Sequence, residues 1–363
     1  MAIKILSIDG GGIRGLIPAL ILTEIEERTG KSISELFDLL AGTSTGGIIA
    51  IGLNVTDPHT GKPYAAERIA GLYEDNGHKI FEKKHLLPAL GALLDESYYH
   101  QGLEDVLESY FGEADLKNTR TELLITSYDI EHRKPFYFLS REAKLNPEQE
   151  NFRLRDIARA TSAAPTYFEP HPLSNSHYPH LALVDGGVYA NNPALLAYSE
   201  AINIKRWKDY QAEQHQTEQS SSVQGSRQSS PANSRDFSAG LPEYLAPEHA
   251  PDFFMLSLGT GQSKKSYPYT EAKDWGLVGW ARPMLDILMQ GVSESVDYQM
   301  QYILPPTRDG QKHYFRLNPD IPAENSEMSD VSESNMQALK DIATAYLRKE
   351  SGTIDEICAA LTR

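Results

Sequence analysis

The chain has 363 residues, enough for two ordinary domains or one large α/β unit with its own core, so no disulfide or metal staple is required. Fifty acidic against 34 basic residues leave a net charge of −16, which argues against nucleic acid as a partner because phosphate binding needs clustered positive charge. A single cysteine, Cys358, excludes an internal disulfide or a cysteine-based zinc site, and no apolar run reaches the ~20 residues of a membrane-spanning helix. With no signal-peptide core ahead of Asp9, a cytoplasmic protein is expected, with any contact to membranes peripheral.

In chain order, Ile3 to Ile8 is a short apolar run of the kind a buried strand shows, and it meets Asp9-Gly10-Gly11-Gly12-Ile13-Arg14-Gly15. Helical spacing follows at Leu16, Leu20, Ile21 and Ile25. The arrangement repeats about thirty residues on: Phe37 to Ala41, then Gly42-Thr43-Ser44-Thr45-Gly46-Gly47, then Ile48 to Leu53. Two strand–glycine-loop–helix units point to an α/β fold with both loops at one sheet edge. Residues 56–120 read as mostly helical, and the leucine-rich stretch within 80–100 is either core or an interfacial lid. Strands are expected at Leu123 to Ile130, Pro135 to Leu139, Leu181 to Val184 and Phe253 to Leu258, and a helix from Leu154 to Ala164, stopped by Pro165. The Gln- and Ser-rich stretch 211–240 reads as a mobile surface insertion. From Ser332 an amphipathic helix places Met336, Leu339, Ala343, Tyr346 and Leu347 on one face, as a packing helix does.

Chemistry concentrates in the glycine-bounded turns. Gly42-x-Ser44-x-Gly46 suits a serine held in a strained strand-to-helix turn with its hydroxyl exposed. Gly10 to Gly15 also spells a dinucleotide fingerprint, but the acidic residue at the required distance, Glu35, precedes the second strand instead of ending it. No lysine follows in P-loop order. The bare backbone of Gly10, Gly11 and Gly12 at a helix start suits a developing oxyanion, with Arg14 adding charge or pinning the loop. A serine needs a base. Asp185, between an apolar strand and two glycines, fits that place better than any of the eleven histidines, which sit mostly among polar or loop residues.

These segments, Asp9 to Gly15, Gly42 to Gly46 and Asp185-Gly-Gly187, together with Ala160 to Pro165 and Tyr189 to Pro193, resemble the patatin-like lipid acyl hydrolases over residues 3 to 265 and as far as 318. The resemblance implies a three-layer α/β/α fold with a mostly parallel sheet. Ser44 would be the nucleophile and Asp185 its partner in a dyad without histidine. Gly10, Gly11, Gly12 and Arg14 would form the oxyanion hole, with Gly42 and Gly46 framing the nucleophile elbow. It further implies hydrolysis of phospholipids or related acyl lipids, with no metal or other cofactor. Residues 1–325 would form the catalytic domain and 326–363 a helical tail, which departs from the family pattern together with the insertion at 211–240. Three alternatives remain at this stage: a Ser-His-Asp esterase using His249 or His313, an acyltransferase with the same dyad, and a nucleotide-regulated effector or binding module that uses the glycine loop.

Overall fold

The computed structural model describes residues 2–83, 98–220 and 252–363; the side chains of 211–220, 277, 278, 281 and 282 are left aside. The lid expectation at 80–100 falls largely outside the described residues, as does the 221–240 part of the polar stretch. The strands are β1 (Ile3–Ile8), β2 (Leu39–Thr43), β3 (Glu122–Asp129), β4 (Lys134–Leu139), β5 (His171–Leu173), β6 (Leu181–Asp185), β7 (Phe253–Leu258) and β8 (Tyr314–Leu317). The main helices are α1 (Leu16–Thr29), α2 (Thr45–Gly52), α3 (Ala66–Ile80), α4 (His100–Phe111), α5 (Leu154–Thr161), α6 (Ala194–Ser220), α7 (Leu277–Ile303), α8 (Glu333–Lys349) and α9 (Ser351–Thr362).

One eight-stranded sheet runs β5-β6-β3-β2-β1-β7-β8, with β4 also on β3. The pairings from β3 to β8 are parallel; β4, β5 and β6 enter antiparallel. Successive residues of β1 go to opposite faces: Leu6 and Ile8 join α1 to α5, α8 and α9, whereas Ile3 and Ile5 join α6 and α7. Both faces are covered, which gives three layers and explains why the strands read as unbroken apolar runs.

The antiparallel strands refine the sequence reading. Asp185 ends a strand next to glycines, as the turn of Ser44 does, yet β6 runs against β2. The two are brought together by β3, whose Thr126 pairs with Thr43 and whose Ser127 pairs with Asp185. Since β4 occupies the other edge of β3, β2 and β6 meet end to end along the same edge. Helix α5 ends at Thr161, three residues short of the expected Ala164, because Ala163 turns out to accept the Asp185 N–H at 3.0 Å and the chain approaches Pro165. Helix α6 continues to Ser220, so the first ten residues of the polar stretch are helical.

Helix α8 is capped at Ser332, whose hydroxyl accepts the Asn335 N–H at 3.3 Å. Leu339 and Ala343 are fully buried against the core that holds α1, with Met336, Tyr346 and Leu347 partly buried beside them. Replacing Leu339 by Ala should destabilise the protein by roughly 2–5 kcal/mol, measured by urea unfolding; a change below ~0.5 kcal/mol, the size of a surface substitution, would mean that α8 is not part of the cooperative core.

Candidate active site

The turn after β2 is built by close approach. A Cβ on Gly42 would collide with the Gly46 carbonyl as α2 folds back, and one on Gly46 would collide with the Ile8 carbonyl where β1 ends. Between them Ser44 has φ 55°, a left-handed conformation that strains a residue with a side chain. Its N–H donates to the Thr161 hydroxyl at 2.9 Å, and Thr161 donates in turn to the Thr126 carbonyl at 2.6 Å. The Thr43 hydroxyl bonds the Thr126 hydroxyl (2.7 Å) and the Ala190 carbonyl (2.6 Å). The junction between β2 and β6 is therefore tied by threonines on three separate segments.

Asp185 is buried. Its Oδ1 accepts the Gly187 N–H at 2.7 Å, while Oδ2 has no hydrogen-bond partner. Burial pushes its pKa up from 3.8 to about 7, with the facing Ser44 hydroxyl and the Gly187 N–H opposing the shift. Ser44 and Asp185 line one cleft with Gly12, Ile48, Phe81, Leu285, Met289 and Met328, an almost wholly apolar wall. No histidine lines it among the described residues. His313 precedes β8, and its carbonyl accepts the Met255 N–H at the start of the parallel strands, the edge opposite Ser44. His249 lies outside the described residues.

The glycine loop is held from behind. The Thr260 hydroxyl donates to the Gly10 carbonyl at 2.8 Å, and Arg14 donates through Nε to the Gly11 carbonyl at 3.2 Å. In a trans peptide the N–H points opposite to the C=O, so these two contacts turn the Gly11 and Gly12 N–H groups the other way. Neither has a hydrogen-bond partner among the described residues, whereas the Gly10 N–H donates to the Asn191 carbonyl at 3.0 Å. Of the three glycines expected to supply donors, Gly11 and Gly12 keep theirs free, and Gly10 contributes closeness: a Cβ there would stand 3.2 Å from Ser44 Cβ. Arg14 does not line the cleft of Ser44; it pins the loop. Gly12, at φ 60°, is packed so tightly under Met328 that any Cβ would strike the Met328 carbonyl.

Upstream, Asp9 and Arg316 form a bidentate pair at 2.8 and 2.6 Å, and Arg316 also reaches Ser257. This clamp ties the end of β1 to β8 across β7. Sequence reasoning assigned no role to Thr161, Thr260 or Arg316. A threonine in the Ala-rich run before Pro165 and another inside Gly259-Thr260-Gly261 were the available signals; Arg316 carried none. Glu35 completes a helix capping box with Ser32, accepting the Ser32 N–H at 2.9 Å, which gives it a structural place and leaves the nucleotide reading without its acidic residue. Among the described residues no cluster suits a metal ion and no helix is long and apolar enough to cross a membrane.

Residues 6–198 match the family model of the patatin-like phospholipases. The chain is 32% identical to Patatin-like protein 2 of Arabidopsis thaliana, over 96% of this chain and 83% of that protein. It is 30% identical to Patatin group M-1 of Solanum tuberosum, over 96% and 84%. It is 31% identical to a protein named Probable inactive patatin-3-Kuras 1 from the same plant, over 96% and 87%. Coverage of 96% is too great for the whole segment after residue 325 to lie outside the similarity, contrary to the expectation that the tail departs from the family.

The raised Asp185 pKa makes stability depend on pH. Between about pH 4 and 7 the folded protein retains a proton that the unfolded chain, with its carboxyl near 3.8, has released, so stability falls as pH rises through that window. Asp185→Asn should therefore be more stable than the parent at pH 8, with the difference shrinking toward pH 4. Urea unfolding of both proteins at the two pH values checks this; an equal difference at both would place the Asp185 pKa near its ordinary value.

Proposed function

The chain belongs to the patatin-like phospholipase family, a family of lipid acyl hydrolases, and from that premise we propose that it cleaves fatty-acyl ester bonds of phospholipids or lysophospholipids through an acyl-serine on Ser44, with Asp185 as the base. The observation that carries this reading is the buried Asp185 carboxylate, raised to about 7 and with Oδ2 unpartnered, in one apolar cleft with a strained serine.

An aspartate at its ordinary pKa is a poor base toward a serine hydroxyl at neutral pH; one near 7 matches the operating range of a general base. As Ser44 Oγ forms its bond to the ester carbonyl carbon, its proton passes to the Asp185 carboxylate. The carbonyl oxygen becomes the oxyanion, and the Gly11 and Gly12 N–H groups are the donors free to receive it. Collapse expels the alcohol of the lysolipid or glycerol, which takes the proton from Asp185. Water then attacks the acyl-serine, gives its proton to Asp185, and the second collapse returns that proton to Ser44 Oγ and releases the fatty acid. Each such oxyanion donor is worth ~10²–10³ in rate. The apolar wall matches the chemistry of an acyl chain and excludes water from the carboxylate.

Fatty-acid release from phospholipid vesicles and hydrolysis of a soluble p-nitrophenyl ester should both be abolished in Ser44→Ala and Asp185→Asn, provided each variant folds. For the parent enzyme, kcat/KM should rise with pH through about 7 and then level, following deprotonation of Asp185. Full activity of Asp185→Asn would sink the dyad and return attention to His249. Transfer of the acyl group to an added alcohol in preference to water would instead mark an acyltransferase.

Thr260 positions the loop and touches no reacting atom. Thr260→Val should lower kcat by on the order of 10- to 100-fold with KM for the soluble ester little changed, and Thr260→Ser should restore it. Failure of serine to rescue would show that the methyl packing, not the hydroxyl on the Gly10 carbonyl, is what matters.

A further inference from the structure

Two buried oxygens near Ser44 have no hydrogen-bond partner: Asp185 Oδ2 and Asn191 Oδ1. The first belongs to the base; the second has no part in the reaction as derived so far. Asn191 lies in the segment from Tyr189 to Pro193, which the sequence singles out without giving any of its residues a task. It is 6% exposed, and its main-chain carbonyl is engaged by the Gly10 N–H at 3.0 Å. A buried amide oxygen left unmet is costly, and an apolar side chain of the same shape would avoid that cost.

Hydrogen bonding fixes which end of this amide faces the site. Asn191 Nδ2 donates to the Ser293 hydroxyl at 2.9 Å. Ser293 has one proton to give, and it goes to the Asp9 carboxylate, which can only accept. Asp9 is held in turn at both oxygens by Arg316. Ser293 must therefore accept from Asn191, which turns the amide nitrogen toward α7 and the oxygen toward the reacting pair. Two glycines show how near that oxygen comes. A Cβ on Gly10 would strike Asn191 Oδ1 and stand 3.2 Å from Ser44 Cβ; one on Gly187 would stand 3.2 Å from Asn191 Oδ1 and 3.0 Å from Asp185 Oδ1. The neighbouring Asn192 differs. Its oxygen accepts the Ala194 N–H at 3.0 Å and its nitrogen reaches the Ser293 carbonyl at 3.3 Å, so both ends of that amide are satisfied.

An amide oxygen is the negative end of its dipole. Turned toward a carboxylate, it disfavours the charged form and favours the protonated one. The forces otherwise on Asp185 are burial and, against it, the Ser44 hydroxyl and the Gly187 N–H, with no charged group among them. Strand β3 and the end of α5 present Ser127 and Thr161 here, whose hydroxyls donate to the Val184 and Thr126 carbonyls and do not ionise. Beyond Ser293, Asp9 and Arg316 pair with each other. Asp286, Glu294 and Asp297 of α7 line a cleft that does not contain Asp185.

We propose that Asn191 is a positioning residue for the base: its amide oxygen, locked in place by Ser293, opposes ionisation of Asp185 and so strengthens the carboxylate that takes the Ser44 proton. It rests on the Ser44–Asp185 reading and deepens it. Arg316, Asp9, Ser293 and Asn191 form one chain of fixed orientation from β8 to the base, and no proton moves along it.

The titration of Asp185 can be read in two ways, one of which needs no turnover. Carboxyl-carbon NMR of the full chain with isotope-labelled aspartate follows it directly, the signal being assigned by its loss in Asp185→Asn. The pH midpoint of kcat/KM for the soluble ester follows it in action. Asn191→Leu, similar in size and without the dipole, should lower both midpoints by about one pH unit. Ser293→Ala, which frees the amide to turn its nitrogen toward Asp185, should lower them too, and Ser293→Thr, which keeps the hydroxyl, should leave them near the parent values. Asn192→Ala is the control for loosening alone: it should cost stability without moving either midpoint. The proposal is overturned by an unchanged or raised midpoint in folded Asn191→Leu, by equal shifts in Ser293→Ala and folded Ser293→Thr, or by Asn192→Ala moving the midpoints as far. If Asn191→Leu does not fold, the two Ser293 variants carry the comparison. An NMR midpoint that moves as expected in a protein that turns over no ester would sink the hydrolase reading and leave the role of Asn191 standing.

Discussion

The site depends on two strands that run toward each other and stop. Strand β3 is three residues longer than β2, so its edge beyond Thr126 is open to a strand from the other direction, and β6 takes it. A turn that ends one strand and a carboxylate that ends the other are thereby placed side by side in the sheet interior. Such a junction breaks the ladder where water cannot reach, so every backbone group there needs a partner. Thr43, Thr126 and Thr161 supply them with short side chains. What they leave unsatisfied is Asp185 Oδ2.

Two aspartates stand at strand ends near Ser44; burial raises the pKa of both, and they differ in their partners. Asp9 receives both guanidinium nitrogens of Arg316, which counter the cost of its burial. Asp185 receives one backbone N–H and the Ser44 hydroxyl, and burial dominates. The first carboxylate fixes β1 against β8 and hence the start of the glycine loop; removing one partner from a buried pair of this kind costs ~3–5 kcal/mol. The second is left basic. The difference between them is one of pairing: a guanidinium on the first, neutral donors on the second.

Much of this was legible in the sequence. The parallel strands announced themselves as apolar runs ending in glycines, and Gly42 and Gly46 marked a turn because no other residue fits where α2 and β1 press against it. Leu339 and Ala343 gave the packing face of α8 through spacing alone. The direction of β6 was not legible, since Leu181 to Val184 reads the same whichever way its strand runs. Nor was the split within the glycine loop: that Gly10 spends its N–H on Asn191 while Gly11 and Gly12 do not depends on Thr260 and Arg14, and Thr260 lies 250 positions from Gly10. The helix through Ser220 was hidden by composition, because Gln and Glu are both good helix formers and common in polar linkers.

Family membership does not by itself carry activity, because the same similarity reaches a relative named as probably inactive. The weight falls on two features that the fold gains nothing from. A non-glycine residue at φ 55° costs of order 1–3 kcal/mol, and glycine would relieve it at Ser44. A buried carboxylate with one oxygen unpartnered destabilises the folded state as it ionises, and asparagine would remove that cost at Asp185. Packing requires neither residue: Ser44 contributes one hydroxyl to an apolar cleft, and the ties at the strand junction come from threonines. A strained hydroxyl and an under-solvated carboxylate therefore line one apolar cleft without either being accounted for as a structural element.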